Sequence, residues 1–191
     1  VGDMHPEVLT IRTVFGEDPS VEKSLRFACE ETPLPRWMNH KVTYSMWYIL
    51  IVYDWYYYTG NMEWLRSQSA YLKGLAKQLS DSIDKDGKSA SPDGRFLAWP
   101  SNDKPAVIDA GVQAIHFMAA GRLAELFMRL GEQEAADQCR RDRERLRQYP
   151  VSPGEAKQAA ALLALAGLAD AGEMNEKVLS KGGAANMSTY M

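Results

Sequence analysis

Apolar positions along the chain recur at helical spacing, and the segments that carry them come in pairs. Ile108, Val112, Ile115, Ala119, Leu123, Leu126 and Leu130 step by 4, 3, 4, 4, 3 and 4, a single stripe that stops at Gly131, where a left-handed cap is available. The next segment, Glu132 to Arg147, retains only Ala135, Cys139 and Leu146 as an apolar side. One helix of the pair is therefore buried and its partner partly wet. The same design occurs at Tyr44 to Thr59, then Gly60, then Asn61 as an N-cap ahead of Met62, Trp64, Leu65, Tyr71, Leu72, Leu75 and Leu79. Ala171-Gly172-Glu173 reads as a third connector. Helix, glycine, acidic or amide residue, helix is the short link of an antiparallel αα-hairpin.

Ser152-Pro153-Gly154-Glu155 reads as a capping box with Pro at the first helical position, opening an Ala-rich helix from Ala156 to Ala171. Its small residues Ala159, Ala160, Ala161, Ala164 and Ala166 admit a close neighbour. Residues Gly2 to Asn39 read as two shorter helices, broken at Gly16 to Pro19 and ended by Thr32-Pro33-Leu34-Pro35. Asp84 to Ser101 departs from helix: turns at Asp86-Gly87 and Asp93-Gly94 and the apolar run Phe96-Leu97-Ala98-Trp99-Pro100 predict a loop or short hairpin, where function tends to sit. The connector glycines at 60, 131 and 172 are separated by 71 and 41 residues, whereas a tetratricopeptide solenoid holds a period of about 34. An irregular array of hairpins suits a closed helical toroid better.

Between Trp47 and Tyr58 seven of twelve residues are aromatic. Rings that bury ~150 to 250 Å² each contribute on the order of 4 to 6 kcal/mol apiece as an upper bound, so a core role accounts for most of the run. Their hydroxyl and indole rims still need partners. A ring face with donors at its edge suits the C–H face and hydroxyls of a pyranose, so any ring of this set that faces a cavity is a candidate saccharide contact.

Length and composition (191 residues, 46% hydrophobic, 25% charged) fit a single domain over residues 1–191. The net charge of -3 does not suit a nucleic-acid partner, and the arginines at 140, 141, 143, 145 and 147 alternate with Asp142 and Glu144 as on a solvated helix face. No wholly apolar run is long enough to cross a bilayer, and no signal-peptide pattern opens the chain, so no membrane partner is expected. Val1 is not an initiator methionine, and the expectation is a processed chain or a segment of a longer one. Cys29 and Cys139 each sit in an amphipathic pattern, which predicts buried free thiols. No phosphate loop, dinucleotide fingerprint, nucleophile elbow or HExxH occurs; His5 with Glu7 is the only near pair of metal-ligand type, and neither metal nor cofactor is expected. Carboxylates and aromatics remain. Asp103 and Asp109 sit near a helix start, where the dipole favours them, and Asp54, flanked by rings, is expected to pair with a tyrosine hydroxyl.

Several segments in order, Gly2-Asp3-Met4-His5-Pro6-Glu7, Tyr44-Ser45-Met46-Trp47, Asp54-Trp55-Tyr56-Tyr57-Tyr58-Thr59-Gly60-Asn61, Phe96-Leu97-Ala98-Trp99-Pro100, Asn102-Asp103-Lys104-Pro105 and Asp109-Ala110-Gly111, resemble bacterial α-L-rhamnosidases of the six-hairpin glycosidase class. The resemblance spans essentially the whole chain. It implies an all-α fold in which antiparallel αα-hairpins form part of an (α/α)6 toroid, and inverting hydrolysis of terminal α-L-rhamnose by one carboxylic acid and one carboxylate that activates water. It further implies that Gly2-Asp3 ends the motif carrying the general acid, so that the acid lies before Val1, and that the base lies in a Trp-Glu segment after Met191. No catalytic carboxylate is then expected within residues 1–191, and the partners are a rhamnoside and the remaining barrel hairpins. Asp3, Tyr44 and Trp99 match sugar-binding positions, with His5, Glu7 and Trp47 as weaker candidates. Met46 and Ala98 replace aspartates common in the family, which bears on substrate and pose. A periplasmic or secreted location is what the family implies. Two other readings stay open: a non-catalytic αα-hairpin module that binds a protein or peptide, and a uronyl hydrolase or polysaccharide lyase of the same fold.

Overall fold

In a computed structural model of the chain the described residues, 2–92, 94–98 and 104–183, form eight α-helices and no strand. The first two, α1 (Met4–Phe15) and α2 (Pro19–Glu31), are divided where the sequence breaks, with Asp18 accepting a hydrogen bond from the Ser20 amide at the start of α2. Next come two pairs, α3 (Val42–Thr59) with α4 (Met62–Asp81) and α5 (Pro105–Leu130) with α6 (Gln133–Gln148). Gly60 and Gly131 close α3 and α5 in the left-handed conformation, and Asn61 Oδ1 accepts the Trp64 amide at 3.0 Å to open α4. Two-residue links between packed helices leave only an antiparallel arrangement.

Helix α5 is the central element, touching α3, α4, α6 and α7. Its Ile115, Phe117, Ala119, Leu126 and Phe127 have no exposed surface, because apolar residues surround it rather than line one stripe. The charged helix α6 covers one side; Arg140 pairs with Asp137 on its exposed face, whereas Asp142, anticipated on a solvated face, is buried and pairs with Arg145, which also donates to Ile83 O and Asp84 O because that side of α6 packs on the loop. Of the aromatic run on α3, Tyr48, Trp55 and Tyr56 are core, Tyr57 and Tyr58 are each 43% exposed, and Trp47 is half-buried. Both thiols are free: Cys139 is buried, and Cys29, half-buried, donates to the Tyr48 hydroxyl. Burial pushes the Cys29 thiol up to about 11 and the Cys139 thiol up to about 12, so neither is a ready nucleophile.

The C-terminal third differs from the sequence expectation. Helix α7 (Lys157–Ala166) starts after the anticipated capping box and stops five residues before its anticipated end. Gly154 takes φ +56 and Ala156 N bonds Pro153 O, so Pro153 to Ala156 is a turn and no box forms. Gly167, left-handed, terminates the helix, and Ala171-Gly172-Glu173 is no connector but lies inside the short helix α8 (Ala171–Met174), capped by Asp170. Two glycines competed for the stop, and the nearer one won.

The anticipated loop is non-helical throughout its described part, and its first turn is anchored in the core. Gln113, 1% exposed, accepts from the Ser89 amide and donates to Gly87 O and Leu146 O, each at 2.8 Å. All of its hydrogen-bonding capacity toward this turn is used inside the protein, which is what its burial requires. Gly87 (φ +85) fits only without a side chain, since a Cβ there would lie 2.2 Å from the Arg145 carbonyl oxygen. Gly87→Ala is expected to cost at least about 2 kcal/mol through left-handed strain plus a backbone clash. Gly60→Ala, with nothing within 4 Å, should cost only the strain, about 1 kcal/mol. Urea unfolding of both variants checks the difference.

Candidate functional site

The start of α1, the first turn of α3, residues 96–98 of the loop and one face of α7 enclose a cavity of about 620 Å³. That volume lies within the range of small-molecule pockets. Its polar and aromatic lining comprises Asp3, His5, Tyr44, Trp47, Lys157 and Gln158, over an apolar surface that includes Leu162 and Leu165.

The local chain explains how each group reaches this place. Gly2 packs against Tyr44 so closely that a Cβ would sit 2.6 Å from Tyr44 Cε1, and its contribution is that close approach. Asp3 follows at the N-cap position of α1, but its side chain makes no capping hydrogen bond, and its carboxylate is exposed at the cavity. Burial, then the negative charge of Asp3, raises the Tyr44 phenol above its ordinary value. Tyr44 stays neutral, able to donate. The ring of Phe96 meets Tyr44 edge-on at 6.2 Å, while Thr43 Oγ1 donates to Phe96 O at 2.8 Å and Val42 N donates to Gly94 O, stitching the loop to the start of α3.

His5 and Trp47 form the second half of the polar lining. One His5 nitrogen, Nε2, lies 2.8 Å from Asp54 Oδ2, and the ring lies over Trp47 at 5.2 Å between centroids, tilted by 37°. Asp54 therefore holds His5 rather than the tyrosine hydroxyl anticipated for it; the aromatic neighbours in sequence project around the helix, and His5 arrives from α1. With Nε2 engaged, the other imidazole nitrogen has no partner among the described residues.

No family model matches this chain, no curated protein is similar to it, and no solved structure matches it. Its site is defined by its own geometry.

Of the residues singled out in the sequence, Asp3, Tyr44, His5 and Trp47 lie together on this cavity. Trp99 and Asp103 fall outside the described residues. Glu7 does not join the group; it lines a separate depression between α1 and α2, since two positions along a helix turn a side chain to nearly the opposite face. Met46 has no exposed surface and belongs to the core, so of Met46 and Ala98 only Ala98 touches the cavity. Asp109, the fifth residue of α5, lies near the helix start as anticipated but past its first turn, and is ion-paired with Lys88 at 2.7 Å and with Arg95. Three or more metal-ligating side chains do not cluster among the described residues. No described helix is long and apolar enough to cross a membrane.

The sequence reading missed α7's part of the wall, Lys157 and Gln158 above all. A signal existed: this is the one charged and amide pair at the head of an otherwise apolar segment. Both are 6% exposed.

Proposed function

We propose that the cavity binds a saccharide and that the chain forms part of an (α/α)6 toroid of the α-L-rhamnosidase kind, supplying the part of the pocket that holds the sugar. The observation that carries this reading is the meeting of Asp3, His5, Tyr44 and Trp47 on one cavity, although they come from two helices some forty residues apart. Their chemistry suits a pyranose. A carboxylate accepts from vicinal hydroxyls, a phenol and the imidazole nitrogen that has no partner among the described residues exchange hydrogen bonds with others, and the Trp47 ring and α7 leucines offer apolar surface to the C–H face.

In this reading the two carboxylates of hydrolysis are supplied from outside residues 1–191. The chain by itself should bind methyl α-L-rhamnoside without cleaving it, because each proton-transfer role contributes on the order of 10² to 10⁴ in rate. Calorimetric titration and an aryl α-L-rhamnoside assay test the two halves. Trp47→Ala is expected to weaken binding about tenfold. Turnover by the purified chain would refute the placement of the carboxylates, and absence of binding would refute the rhamnoside reading of the site.

A further inference from the structure

Lys157 is a cation on the wall of this cavity that hydroxyl recognition leaves unused. Placed at the first residue of α7, it is 6% exposed and lines the cavity. Among the described residues its ammonium has a single partner, the carbonyl oxygen of Gly183, and no aspartate or glutamate lies within ion-pair distance of it. A tether to Gly183 occupies one of three donors. Among the described residues nothing else bonds its remaining N–H groups, in a place largely shielded from water, where an unsatisfied polar group is costly.

We infer that the cavity takes an acidic sugar, whose carboxylate is bound by the Lys157 ammonium while Asp3 accepts hydroxyls of the same ligand. The inference rests on the saccharide reading of the cavity, not on rhamnose as its ligand, and adds the substrate class. A carboxylate is favoured over a phosphate because its single charge tolerates the Asp3 carboxylate in the same cavity, which a dianion would meet with stronger repulsion.

The test uses the 191-residue chain and three probes, D-glucuronate, its methyl ester and L-rhamnose, titrated calorimetrically. The ester keeps the shape and removes the charge. Glucuronate is expected to bind at least about tenfold more tightly than the ester. Lys157→Gln should abolish that preference and Lys157→Arg should retain it, with circular dichroism reporting whether each variant is folded. Equal binding of acid and ester, or a preference that survives Lys157→Gln, would overturn the inference. If Lys157→Gln does not fold, the acid and ester comparison on the unaltered protein decides alone. L-rhamnose separates the levels: binding of L-rhamnose without preference for the acid removes the inference and leaves the saccharide site, whereas no binding of any sugar removes both. Inorganic phosphate that displaces glucuronate at a lower concentration than glucuronate itself requires would also overturn the carboxylate assignment.

Discussion

Lowering the pH from 6.5 to about 5 should destabilise the fold by about 2 kcal/mol through His116 alone. The imidazole is 1% exposed, and Nδ1 lies 2.9 Å from Ser89 Oγ. Burial depresses its pKa from 6.5 to about 3, so it is neutral in the folded protein across the physiological range. Between those two values the unfolded chain binds a proton that the folded chain does not. Stability therefore falls as pH falls, by about 1.4 kcal/mol per pH unit, and this contribution is flat above pH 6.5. Above about pH 5 most carboxylates remain ionised, so the window isolates histidine titration. Urea midpoints of the parent and His116→Gln across this window give the slope; the variant should be flatter by the stated amount. The same slope in both would assign the acid sensitivity elsewhere. The buried Ser89 and His116 pair also looks like the start of a nucleophile and base, but 1% exposure of each denies a substrate access. Its role is to hold the loop against α5.

Asp3→Asn should reduce saccharide affinity by about one to two orders of magnitude and leave the melting temperature unchanged. A charged acceptor makes hydrogen bonds worth ~1.5 to 3 kcal/mol, and the amide keeps the shape while removing the charge. The stability half of the forecast follows from geometry. The Asp3 side chain accepts no capping bond, so even Asp3→Ala is expected to stay within about 0.5 kcal/mol, unlike a true N-cap, whose loss costs ~0.5 to 2 kcal/mol. Spectroscopic titration supplies a separate check, because Asp3 is one cause of the raised Tyr44 pKa and its neutralisation should bring that phenol down. In a protein with both hydrolytic carboxylates, Asp3→Asn is expected to lower kcat/KM by a similar factor.

Local signals with one strong solution were legible in the sequence. The stripe from Ile108 to Leu130 became α5, and the pairs Gly60 with Asn61 and Gly131 with Glu132 became links between antiparallel helices, because a left-handed glycine and a following cap leave the backbone few alternatives. The segment from residue 152 to 174 was not legible in the same way. Its sequence offers two glycine stops at 167 and 172 and a Ser-Pro-Gly-Glu start that fits a capping box and a turn equally well, and packing against α5 chose between them. The candidate site divided along the same line. Asp3, His5, Tyr44 and Trp47 were named through the resemblance and not through local pattern, and they share one cavity, whereas Glu7, two positions from His5, turned to the far side of α1. Asp54 found His5 rather than a tyrosine because the decisive partner is 49 residues away, a distance that no local pattern encodes. Lys157 was hidden for the same reason, since a lysine becomes a wall of a cavity only once α7 is set beside α1.

The most direct test of the account is a two-dimensional amide NMR titration of the chain with L-rhamnose. The account predicts saturable shifts confined to residues 2–9, 44–47, 96–98 and 157–165, the segments around the cavity, with α4 and α6 unmoved. No saturable shifts, or shifts centred on α4 and α6, would contradict it.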